Sequence, residues 1–179
     1  MGRMLTAAIE RAALSDVLER ALTGKGLDAA DLARLRSADV LVVAGIADAV
    51  RAKHRGDEVR VLSPETARRT PDFIKLDLDA GQAEGPTGQD LLVQIAVARL
   101  STPCTQGIAV SAEQIGLELA QTALMFGADG LIGDLVGSKR TLPLLDGREA
   151  RKAELTGLIQ RTGRTARFVE QEITLEQRS

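Results

Sequence analysis

From Glu58 onward, five short runs of strand-forming residues are separated by stretches carrying helix-start and helix-stop signals. A chain that alternates in this way has few ways to pair its strands. Parallel neighbours need a long crossover between them, and a helix is the usual crossover, so the pattern predicts an α/β fold with a largely parallel sheet. The strand signals are Glu58 to Leu62, Phe73 to Asp79, Gly107 to Val110, Gly130 to Gly133 and Thr165 to Glu170. Between the first two, Pro64 and Pro71 bound a loop or a single helical turn. Thr87-Gly88-Gln89-Asp90 reads as a capping box opening a helix to Leu100. That helix is apolar on nearly every side, which predicts deep burial. Ser111-Ala112-Glu113-Gln114 is a second capping-box pattern, and Ile115, Leu119, Ala123 and Phe126 fall on one face of the helix it opens. A last helix is expected from Asp146 to Gly163.

Residues 1–56 read as helices. Asp28 is the expected cap of a short one. The run from Ser37 to His54 is rich in β-branched residues at its start, but Ala44, Ala47, Asp48 and Arg51 continue at helical spacing, so helix is the better reading. Gly56 suits its C-terminal cap. The chain divides on this reading into an N-terminal helical segment, 1–56, and an α/β segment, 57–179.

Composition removes much of the catalytic repertoire. The 179 residues hold one Cys and one His, which excludes an internal disulfide and multi-cysteine or His-rich metal sites within one chain. Three Phe and no Trp or Tyr leave no aromatic platform for stacking bases, and a net charge of -2 gives no pull toward nucleic acid or anionic lipid. No stretch reaches the roughly 18 apolar residues of a membrane span, and Glu10 and Arg11 interrupt any leader-like core, so a cytoplasmic protein is expected.

Charge is uneven, and residues 69–138 carry nine acidic and three basic side chains. An acidic middle is compatible with a cation-binding pocket. Lys75, Asp77 and Asp79 share one face of their strand, opposite Ile74, Leu76 and Leu78. If the apolar face packs on helices, the charged trio faces the open side, where it is suited to ligand binding or acid/base work. Asp129, Asp134 and Lys139 join it as candidates at the C-terminal strand ends, where such sheets bind ligands. The glycines from Gly130 to Gly137, followed by Lys139 and Arg140, resemble an anion-holding loop but not a Walker loop, since Arg140 stands where Ser or Thr is needed. Cys104 has no nearby base in sequence, and His54 at a helix end reads as a capping residue.

The C-terminal half also carries a likeness. Ile95-Ala96-Val97-Ala98-Arg99-Leu100, Leu117-Glu118-Leu119-Ala120-Gln121-Thr122-Ala123-Leu124 and Phe126-Gly127-Ala128-Asp129-Gly130-Leu131-Ile132-Gly133 come in order along it. They resemble the last helices and strands of the radical S-adenosylmethionine enzymes of the futalosine route to menaquinone, aminofutalosine synthase and dehypoxanthine futalosine cyclase. Lys152 to Arg164 is similar to that family's closing helix and strand, and Asp31 to Arg51 to its helical entry. The resemblance implies a reduced, partial (β/α)-barrel-like sheet. It also implies a cluster held by Cys-x3-Cys-x2-Cys after the first strand, yet Ser63-Pro64-Glu65-Thr66-Ala67 stands there. One chain with one Cys cannot supply the three thiolates. The expectation is therefore a non-catalytic relative with no cofactor, forming a homo-oligomer or a complex with a full-length radical enzyme of that family.

Overall fold

The computed structural model describes residues 2–78, 85–133, 141–143 and 149–169. Four helices come first: α1 (Arg3–Arg11), α2 (Ser15–Leu22), α3 (Ala29–Arg36) and α4 (Val40–Arg55). α3 opens on a reciprocal cap, in which the Asp28 carboxylate accepts from the Asp31 N–H and Asp31 accepts from the Asp28 N–H. The β-branched run is helix, as its spacing predicts. Asp39 accepts from the Leu41 N–H at 2.8 Å and starts α4, whose Val43, Ile46, Ala47 and Val50 recur on one side and are buried.

The alternation continues as β1 (Glu58–Leu62), α5 (Pro64–Arg69), β2 (Phe73–Lys75), α6 (Gly88–Ser101), β3 (Gly107–Ser111), α7 (Ala112–Ile115), α8 (Leu117–Met125), β4 (Gly130–Ile132), β5 (Thr141–Pro143), β6 (Glu149–Arg151), α9 (Lys152–Arg161) and β7 (Thr165–Val169). The capping box at Thr87 and Asp90 forms as expected. The helix expected to run on from Ser111 is broken instead. Gly116, at φ +81°, ends α7 and starts α8, a conformation that a residue with a Cβ resists. The last helix starts at Lys152, directly after β6, rather than at Asp146, which lies outside the described residues.

The five main strands form one parallel sheet in the order β2-β3-β4-β1-β7, and β5 and β6 pair antiparallel as a separate hairpin. The chain is thus α/β with a parallel sheet. Its strand order is not that of a barrel run in sequence, because β1 lies between β4 and β7 rather than beside β2. β7 pairs with β1 along all five residues, from Glu58 opposite Thr165 to Leu62 opposite Val169, and so fills the edge that a next barrel strand would use. β2 and β7 are left at opposite ends of the sheet.

One face of the sheet carries Val59, Val61, Ile108, Val110 and Leu131, which pack with α4, α6 and α8 in the main core. Ile9 of α1, Val17 of α2 and Leu35 of α3 belong to the same buried cluster. The other face holds a smaller cluster of Leu62, Phe73, Ala109 and Ile132 with Ala67 of α5. Here the Phe73 ring lies across Gly107 and Gly130, and a Cβ on Gly130 would stand 2.7 Å from it. Both positions need glycine for that close approach.

Candidate functional site

The charged groups gather first at the amino ends of the strands. Asp129 directly precedes β4 and is 2% exposed. Its Oδ1 accepts from Arg99 Nη2 at 2.8 Å and from the Ile108 N–H at 2.7 Å, and its Oδ2 accepts from Arg55 Nε at 2.7 Å. Arg99, on α6 and 1% exposed, also donates to the Gly127 and Gln106 carbonyls. Arg55, at the end of α4, donates to the Thr105 carbonyl at 2.8 Å and lies 5.2 Å from the Phe73 ring centre. Burial pushes the Arg99 guanidinium below its ordinary range, and the facing Asp129 carboxylate opposes that shift. The arrangement clamps α4, α6 and the starts of β3 and β4 together.

A second clamp sits beside it. Arg164 donates to the Ala128 carbonyl at 3.2 Å and pairs with Asp48, which also accepts from Arg51 Nε at 2.9 Å. Burial first, and then the charge of Arg51, hold Arg164 down to about 10. A small polar cavity of about 120 Å³ opens beside Arg55 and Asp129, lined also by His54, Glu58, Arg60 and Phe73.

Lys75 and Asp77, two more of the expected candidates, lie toward the carboxyl end of β2. Lys75 and Asp77 are exposed at the β2 edge, with Ile74, Leu76 and Leu78 turned into the main core, as the alternation predicts. Gln114 Nε2 donates to Asp77 Oδ1 at 3.1 Å, while Gln114 Oε1 is buried with no hydrogen-bond partner. Asp129 does not join Lys75 and Asp77. β3 lies between their strands, and the Asp129 carboxylate is taken up by Arg55, Arg99 and the Ile108 N–H. Asp79, Asp134 and Lys139 lie outside the described residues, as does most of the glycine-containing loop. His54 Nε2 is 3.1 Å from the Leu22 carbonyl, and Cys104 is half-buried in the turn between α6 and β3. Among the described residues no three His, Cys, Asp or Glu side chains come together to hold a metal ion.

Comparison with family models, with curated proteins and with solved structures finds no match. No helix of the described residues is long and apolar enough to cross a membrane. On the helical side of the molecule, a groove of about 520 Å³ between the start of α4 and one side of α6 is lined by Val40, Val93, Val97 and Ala98 together with Gln89 and Gln94, with Arg36 and Asp90 at its rim. Hydrogen bonds from Thr87 lower the Asp90 pKa, so this rim position carries a negative charge. α6 is apolar on nearly every side, and its sequence alone suggests deep burial. In the fold, Leu91, Ile95 and Ala96 enter the core while Val93 and Ala98 are left half-buried on the groove wall. Arg55 and Arg99 were not among the expected site residues. For Arg99 the sequence signal is a charged residue within the apolar stretch 91–100, since burying it requires a carboxylate partner.

Proposed function

We propose that this chain is a non-catalytic, radical-SAM-like binding subunit linked to menaquinone biosynthesis, which acts in complex with a full-length radical enzyme of the futalosine route. The segment directly after β1 carries the reading. The family's cluster loop would stand there, but the residues present do not fit an iron–sulfur cluster. Ser63 caps α5 by accepting from the Thr66 N–H at 3.0 Å, the two hydroxyls lie 2.8 Å apart, and both side chains are buried. Hydroxyls in a closed cap are not soft thiolate ligands. The likeness itself rests on the ordered segments Ile95 to Leu100, Leu117 to Leu124 and Phe126 to Gly133. The test mixes the purified chain with aminofutalosine synthase and with dehypoxanthine futalosine cyclase, anaerobically, and monitors co-elution and activity. Co-elution at micromolar concentration with a changed turnover is expected. Independent elution with unchanged turnover overturns the reading.

A second reading is favoured by the unpartnered Gln114 Oε1 beside Asp77. It makes the β2 edge a site for a small ligand that donates hydrogen bonds or carries positive charge, held by Asp77 with Lys75 close by in sequence. Thermal stabilisation by an ammonium compound or a divalent cation, lost in Asp77→Asn, is the expected sign. No shift with any of them removes this reading.

A further inference from the structure

The α4–α6 groove has an immediate neighbour of the opposite shape. Leu41, the residue after the groove-lining Val40, stands 70% exposed on the first turn of α4. A large aliphatic side chain held out from a helix end gains by finding an apolar pocket. Nothing among the described residues supplies one to Leu41, and the groove beside it offers Val40, Val93, Val97 and Ala98 in a lining that also holds Gln89 and Gln94. A knob and a hole on one surface patch are the requirement for an isologous contact, in which a two-fold axis lets each copy fill the other. The rim adds to this, because Arg36 and Asp90 put one cation and one anion on the same patch and a second copy presents the same pair in return. A net charge of -2 sets little repulsion against such pairing.

We infer that the chain forms a two-fold homodimer through this patch, with Leu41 of each copy seated in the α4–α6 groove of the other. The inference stands apart from the radical-enzyme reading. A dimer can form whether or not that enzyme binds, and the two are measured separately.

Sedimentation of the full chain, from micromolar concentration upward, is expected to give a species of twice the 19.0 kDa chain mass. Leu41→Asp removes the knob, and an acid in the first turn of a helix favours the helix, so the fold is kept. Val93→Glu blocks the hole. Each variant alone is expected to raise the dissociation constant about tenfold or more, with an unchanged circular dichroism spectrum. An equimolar mixture of the two keeps one intact contact, because the Leu41 of one copy meets the open groove of the other. The mixture is therefore expected to associate more tightly than either variant alone. A wild-type chain that stays monomeric overturns the inference and leaves the groove to another occupant. A dimer that survives Leu41→Asp also overturns it, since the contact is then elsewhere.

Discussion

Asp129 shows what a single residue's surroundings decide. Read along the chain it is an acid grouped with candidates at the C-terminal strand ends, yet it directly precedes β4. In the fold its two oxygens take three donors, and two of those are guanidiniums. Removing one side of a buried pair leaves the other charge without compensation, which costs about 3–5 kcal/mol. Asp129→Asn is therefore expected to lower unfolding free energy by that order in urea, with the slope against denaturant unchanged. A loss within experimental error would mean that the clamp is not what holds these strand ends. The role was hidden because Arg55 and Arg99 lie 74 and 30 residues away in sequence, and no local pattern announces such a contact. Gly130 makes the same point through shape. Its lack of a side chain is filled by the Phe73 ring, so Gly130→Ala forces that ring to move and is expected to cost about 1–3 kcal/mol. In Gly130→Ala combined with Phe73→Leu the two losses should not add, because the clash has been removed.

At the scale of elements, the legible features were those whose cause lies within a few residues. The caps at Asp28 and Thr87, and the inward turn of Ile74, Leu76 and Leu78, all arise from local spacing. Thr87→Ala should accordingly cost α6 about 1 kcal/mol in thermal unfolding. The break at Gly116 was not legible, since Ile115 and Leu119 keep helical spacing across it while the backbone does not. Between α2 and α3 one contact is ionic and external. Arg34 donates to both oxygens of Asp16 at 2.9 and 3.0 Å, and this hydrogen bonding draws the Asp16 carboxyl down to about 2. The folded value lies below the unfolded value of about 3.9, so the contact contributes fully above that pH. Its contribution fades as pH falls through about 2. The effect on stability is small because both groups meet solvent. An NMR titration is the sharper measurement, and Arg34→Ala is expected to return the Asp16 midpoint toward its free value.

For the whole molecule the deciding question is whether the helical first third is a unit of its own. The sequence divides well at Gly56, where helix signals give way to alternation, and a boundary there is a natural reading. The buried cluster argues the other way. Val43, Ile46, Ala47 and Val50 of α4 lie in one core with Val59 and Val61 of β1, Ile95 of α6 and Leu124 of α8. Arg55 of α4 reaches Asp129 beside β4, and Asp48 pairs with Arg164 just before β7. Strand order depends on the same contacts between distant segments, which is why the parallel class was legible and the position of β1 was not. A chain cut at residue 57 would expose the helix-packed face of its sheet and leave Asp129 and Arg164 without their α4 partners. The full chain is therefore expected to melt in one transition, with calorimetric and van't Hoff enthalpies in agreement. The fragment 57–179 should give no cooperative transition and should bind a hydrophobic dye. Two resolved transitions in the full chain, or a fragment that melts cooperatively, would make the boundary real and reduce the α4 contacts to docking between two independently stable parts.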